Sequence, residues 1–139
     1  MENKYLLRNS EYIESPNYDN RPDNTVVDSI IIHCISLPEK EYDNDNVSIL
    51  FLNNLNRNHS ISFQSLENIR VSSHLFIKRT GHIIQYVPFN KRAWHAGESK
   101  YEDRSGFNDF SIGIELHGST SDSYTDEQYK SLSKAIKDL

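Results

Sequence analysis

From Phe110 to His117 apolar and polar positions alternate without a break. Phe110, Ile112, Ile114 and Leu116 fall on one face of an extended strand, and Ser111, Gly113, Glu115 and His117 on the other. The pattern predicts a half-buried strand with one carboxylate on its polar face. Gly113 puts no side chain beside Glu115, which suits close approach of a ligand or a second backbone. An amphipathic strand with a solvated Glu also accounts for the pattern. A second signal is the β-branched run Ile30, Ile31, Ile32 that ends at His33. A run apolar on both faces predicts a central strand covered on both sides, hence helices over the sheet. His33 then stands at the carboxyl end of that strand, where sheet proteins tend to place chemistry. It is either such a group or a buried histidine bonded to a backbone carbonyl.

The remaining elements are local. Residues 71–87 predict a hairpin turning at Thr80 and Gly81, with His74 and His82 as strand-face residues. Val47, Leu50, Phe51 and Leu55 recur at helical spacing, so a short helix is expected there, entered from Asp45 or Asn46. Thr125 with Gln128 three residues on is a capping box, and Asp126 and Glu127 complement the helix dipole. Tyr129, Leu132, Ile136 and Leu139 continue that helix as an apolar stripe with no glycine or asparagine to end it, so the chain is expected to continue beyond Leu139. Residues 1–27, rich in turn formers, read as an irregular arm on the surface. His59 lies in a stretch without period and reads as exposed and idle. Asp43 to Asn46 is too imperfect for a calcium loop, since Ser48 stands where the loop needs glycine.

Composition narrows the function. A chain of 139 residues is expected to form one domain, residues 1–139. Its 15 Lys and Arg against 20 Asp and Glu give a net charge of −5 without a basic block, which argues against nucleic acid as a partner. No stretch has the length of a signal-peptide core or a membrane span, so no membrane partner is expected and a cytoplasmic protein is. A lone Cys34 forms no internal disulfide, in keeping with a reducing compartment. The glycosylation-type triplets at Asn46 and Asn58 are discounted for want of a secretion signal.

Five blocks carry a resemblance: S-P-N-Y-D-N-R-P-D from Ser15, I-I-H-C-I-S-L-P from Ile31, R-V-S-S-H-L-F-I from Arg70, G-H-I-I-Q-Y-V-P-F-N-K-R-A-W-H-A-G from Gly81, and N-D-F-S-I-G-I-E-L from Asn108. In order and spacing the chain resembles the zinc-dependent N-acetylmuramoyl-L-alanine amidases, a family similar also to peptidoglycan-recognition proteins and phage T7-type lysozyme. The likeness is greatest to the branch that cleaves 1,6-anhydro-muropeptides in bacterial cell-wall recycling. It implies a mixed α+β fold, a central mixed β-sheet flanked by helices, and hydrolysis of the amide between N-acetylmuramic acid and L-alanine with Zn²⁺ as cofactor. It implies His33 as a zinc ligand, Glu115 as general base, and Trp94 and His95 in the cleft that meets the muropeptide. Arg70 matches an arginine shaped to hold a peptide carboxylate. The family's second histidine ligand, its acidic ligand and an oxyanion lysine would fall beyond Leu139, so a non-catalytic muropeptide-binding module or an inactive fragment is the alternative expectation. His117 shares a face with Glu115 but is not expected to replace the missing ligand. Gly106 and Cys34 stand where relatives often carry Arg and Asn, and adjacent strand residues such as His33 and Cys34 face opposite ways.

Overall fold

The computed structural model describes residues 3–56 and 61–139. His59 lies outside them. Among the described residues nine short strands and two α-helices follow in order, with a 3-10 helix at Ile61–Leu66 between α1 and β4. They are β1 Glu11–Tyr12, β2 Tyr18–Asn20, β3 Ser29–Ile35, α1 Asn46–Phe51, β4 Leu75–Ile77, β5 Ile83–Gln85, β6 Lys91–Ala93, β7 Lys100–Tyr101, β8 Arg104–Ser105, β9 Ser111–His117 and α2 Asp126–Asp138. Five strands form the main sheet in the order β1-β5-β4-β9-β3, with β9 parallel to both neighbours and β4–β5 antiparallel. The sheet is therefore mixed, as the resemblance implies.

Each face of the sheet has its own core. On one, Phe76 and Ile84 pack with Val47, Leu50 and Phe51 of α1 and with Tyr86. On the other, Leu75, Ile77, Ile112, Ile114 and Leu116 pack against Leu7 and Ala135 of α2. Neighbouring strand residues face opposite ways, so Phe76 joins the first core while Leu75 and Ile77 join the second.

The two strand signals exchange places. The alternating segment, expected to be half solvated, is the central strand β9, and all of its residues are buried. The continuous apolar run, expected to be central, is the edge strand β3, where Ile30 and Ile32 keep 36% and 48% of their surface exposed. The physical reason lies in α2: it covers β4 and β9 and stops short of the β3 edge. The polar face of β9 is closed instead by aromatic and imidazole side chains.

Three other expectations need correction. The N-terminal arm is threaded into the fold: β1 pairs with β5, and Asn17 is buried with its amide donating to the carbonyls of Phe51 and Val71. The first helix ends at Phe51 rather than near Leu55, because Asn53 takes a left-handed φ of 61° just past its end. Its N-cap Asp45 makes no capping bond and pairs with Lys78 at 2.7 Å. The apolar stripe of the last helix faces outward in part. Tyr129, Ile136 and Leu139 are exposed, while Gln128 and Ala135 are buried.

The hairpin and capping box appear as the sequence predicts and hold one another. Thr125 Oγ1 accepts from the Gln128 N–H and donates to the Arg79 carbonyl, and Gln128 Nε2 donates to the carbonyls of Ile77 and His117. Gly81 turns the hairpin at φ 84°, and an added Cβ would lie 2.8 Å from the Glu127 carbonyl oxygen. Glycine is thus required both by the turn and by the approach of α2.

Candidate active site

Parallel pairing of β3 with β9 sets His33 directly abreast of Glu115, and Phe76 of β4 flanks Glu115 on its other side. All three side chains share the α1 face of the sheet. Glu115 is 8% exposed, and its Oε2 is buried with no hydrogen-bond partner among the described residues. Burial pushes its carboxyl pKa up to about 8, because the charged form loses its water. His117, two residues on, lies on the same face, and its buried Nε2 has no partner among the described residues. Burial first, then the Lys78 and Arg79 cations, lower its pKa to about 4. Tyr42 meets that ring edge-on at 5.2 Å.

The third member comes from the loop after β6. The His95 ring lies over Gly113, so close that a Cβ there would stand 2.3 Å from its Cγ. This is the close approach that Gly113 signalled in the sequence, made by another side chain. His95 Nδ1 is 2.9 Å from His33 Nε2, and His95 Nε2 is 3.1 Å from Ser111 Oγ. Ser111 in turn donates to the Phe107 carbonyl. Asn108 Oδ1 holds the loop by accepting the N–H groups of His95 at 3.1 Å and Ala96 at 2.8 Å. Burial, with His74, His33 and Arg21 nearby, lowers the His95 pKa to about 3, and burial lowers that of His33.

A layer behind these groups fixes them. His74, fully buried, accepts the Gly113 N–H on Nδ1 at 3.0 Å and meets the Lys91 carbonyl with Nε2 at 2.9 Å. Arg21 donates to the carbonyls of Asn108, Asp109, Phe89 and Ser111 at 2.8–3.1 Å, tying the N-terminal arm to the start of β9. Arg92 forms paired bonds to Asp19 and one to Asp109, each 2.6–2.7 Å.

The site residues expected from the sequence divide into two groups. Glu115, His33 and His95 come together. Trp94 exchanges backbone and side-chain bonds with Ser72, and so lies beside the segment that follows Arg70. Arg70 is exposed, and its two described hydrogen bonds go to the nearby carbonyls of Glu67 and Ile69. Ser111, Asn108, His74 and Arg21 were not singled out as site residues. Their residue types carry no such signal; their partners, up to 90 residues away for Arg21, do. Cys34 turns to the opposite face from His33, towards Tyr124. Gly106 takes a left-handed φ of 71°, so it serves a turn that arginine would strain.

Among the described residues no group of three or more His, Cys, Asp or Glu side chains is placed to hold a metal ion. These residues alone do not fit the three-ligand zinc site that the resemblance implies. A cleft of about 1350 Å³, lined by Leu6, Arg8, Ile30, Ile112, Ile136 and Leu139, opens on the α2 face and is separate from Glu115. No helix is long and apolar enough to cross a membrane among the described residues.

The chain is similar to proteins named 1,6-anhydro-N-acetylmuramyl-L-alanine amidase AmpD. It is 45% identical to that of Citrobacter freundii over 133 residues, 96% of this chain and 71% of the relative, and 44% identical to that of Escherichia coli over 127 residues, 91% and 69%. A crystal structure of an AmpD derivative superposes with a TM-score of 0.92 at 42% identity, over 96% of this chain and 75% of that one. A Drosophila peptidoglycan-recognition protein, PGRP-LB, matches with a TM-score of 0.59 at 17% identity, over 90% of this chain and 66% of that one, which speaks for the fold alone. The family model described as N-acetylmuramoyl-L-alanine amidase matches residues 22–139. With Glu115, His33 and His95 gathered on one sheet face and most of the chain covered by that match, the chain belongs to the N-acetylmuramoyl-L-alanine amidase family.

Proposed function

We propose that this chain, acting as a single domain over residues 1–139, hydrolyses the amide bond between 1,6-anhydro-N-acetylmuramic acid and L-alanine of muropeptides in cytoplasmic peptidoglycan recycling. The observation that carries the proposal is the buried Glu115 carboxyl, its Oε2 without a partner among the described residues, abreast of His33 in a chain that matches the amidase family over residues 22–139. Burial raises the carboxyl pKa to about 8, so its ionised form is a stronger base than an exposed carboxylate and takes a proton from water, which the protonated form then returns. Glu115 takes the proton from a water as its oxygen attacks the scissile carbonyl. The new C–O bond forms, the C–N bond breaks, and the same proton passes to the departing amine of L-alanine. The products are the anhydro-sugar acid and a free stem peptide.

In this reading Arg70 offers a planar guanidinium to a stem-peptide carboxylate, and Trp94 and His95 fall in the cleft that meets the muropeptide. His33 is the imidazole assigned to zinc. The described residues supply no complete set of ligands with it, so the chemistry assigned to them is general-base activation of water. That misfit favours one second reading, a domain that binds the muropeptide without cutting it.

The test is incubation of the chain with 1,6-anhydro-N-acetylmuramoyl-L-alanyl peptide, followed by mass spectrometry of free and bound material. Release of a peptide with an L-alanine amino terminus, lowered about 10²–10⁴-fold by Glu115→Gln, is the expected result. Saturable binding of intact ligand selects the second reading. Neither cleavage nor binding overturns both.

A further inference from the structure

We propose that Ser111 and His95 form a one-way hydrogen-bond chain that fixes the tautomer of His33, leaving Nδ1 as the sole acceptor on that ring. The inference deepens the assignment of His33 and Glu115 to the active site and rests on it. Ser111 and His95 are then positioning residues, acting on the site through His33.

The argument is a count of protons. Ser111 has one hydroxyl hydrogen, and its Oγ lies so near the Phe107 carbonyl oxygen that this hydrogen must stand between them. Oγ therefore has only lone pairs left for His95, so His95 Nε2, 3.1 Å away, is the donor. The His95 ring meets a hydroxyl on one nitrogen and a second imidazole on the other, with no carboxylate among these partners to hold a second hydrogen, so it is the neutral imidazole. A neutral imidazole protonated on Nε2 has a lone pair on Nδ1. His33 Nε2, at 2.9 Å from that lone pair, must in turn carry a hydrogen. One carbonyl thus sets the direction of three successive bonds. Reversing any link would set two hydrogens, or two lone pairs, against each other inside the fold.

Two features hold the chain in place. Gly113 lacks the Cβ that would drive the His95 ring away, and Asn108 fixes the loop backbone at His95 and Ala96. His74 supplies an internal comparison. Its Nδ1 accepts the Gly113 N–H, which leaves Nε2 to carry the hydrogen towards the Lys91 carbonyl at 2.9 Å although Arg21 Nη2 stands 3.2 Å from the same nitrogen, and the Ser111 hydroxyl takes no part. A ring whose free nitrogen is fixed in this way presents one chemical face to a ligand, an electron-pair donor, beside a carboxyl that handles protons.

The experiment is a two-bond ¹⁵N–¹H correlation of the imidazole rings in ¹⁵N-labelled chain at pH 7.5, with Ser111→Ala and Ser111→Thr alongside. In the unmodified chain His33, His95 and His74 are each expected as a single Nε2–H form. Ser111→Ala removes the acceptor of the His95 Nε2–H, so His95 and His33 should both gain an Nδ1–H population while His74 stays as it was. Ser111→Thr, which keeps the hydroxyl, should restore the single form. His33 protonated on Nδ1 in the unmodified chain would overturn the inference. So would Ser111→Ala with both rings unchanged. If the variants do not fold, the unmodified spectrum still decides. The readout needs no turnover, so a chain that shows these tautomers yet neither cleaves nor binds muropeptide refutes the proposed function alone.

Discussion

Gly113 is the residue on which the site geometry turns. An added Cβ would stand 2.3–2.7 Å from three atoms of the His95 ring, in a strand with no exposed residue to yield. Gly113→Ala is expected to destabilise the chain by about 1–3 kcal/mol, the usual cost of overpacking, in a urea melt. A melt unchanged within error would mean that His95 is not seated on this strand. The buried titratable groups set a pH optimum of stability. Four imidazoles have lowered pKa values, His74 and His95 to about 3, His117 to about 4, and His33 in the same direction through burial. Their contribution is present above the free imidazole value and is lost as pH falls towards those folded values. Glu115, raised to about 8, has the opposite sign: its contribution is complete below about 4.5 and is lost as pH rises through 8. Four groups oppose one in acid, so the melting temperature should peak near neutrality, fall steeply below about pH 6.5 and fall gently towards pH 8. A melting temperature that rises from pH 6.5 to 5 would contradict this balance. At this scale the sequence made Glu115 and His33 legible through strand position and resemblance. It could not show Ser111 or His74, whose importance is a matter of which atom each one meets across the fold.

Local elements were legible where a few adjacent residues decide them. The turn at Gly81 and the box of Thr125 and Gln128 are of this kind, and both stand in the structure as the sequence predicts. Thr125→Ala removes the cap and also the bond to the Arg79 carbonyl. A loss of about 1–2 kcal/mol is expected by thermal denaturation, at the upper end for a cap because two bonds go together. A loss below about 0.3 kcal/mol would show that α2 needs neither. What the hydrophobic pattern could not reveal was which strand lies in the middle. Alternation along β9 describes two faces of different chemistry, and both are covered, one by α2 and the other by His95, His33 and Phe76. The run Ile30 to Ile32 describes two apolar faces, but the order of strands, a long-range property, puts it at the rim. Likewise Gln128 is buried for its bonds to two strand carbonyls, while more apolar residues of its helix face outward.

For the molecule as a whole, resemblance along the chain was a better guide than periodicity, because the blocks that carry it are the segments that meet at the site. Ser15 to Asp23 brings Arg21 to the start of β9, Arg70 to Ile77 brings His74, and Gly81 to Gly97 brings His95. Five distant segments thus converge on a patch that no single one describes. The open rim of the sheet carries a further consequence. An edge strand with free backbone groups and two half-exposed isoleucines is a template on which another strand can grow. Light scattering of concentrated solutions should therefore rise with concentration, and Ile32→Lys, a charge on the outer face of β3, should suppress that rise with little change in melting temperature. Equal scattering from both chains would clear this edge of any part in association. The strand at the rim is also the one that carries His33, so a molecule recruited there would lie beside the very strand that sets an imidazole abreast of Glu115.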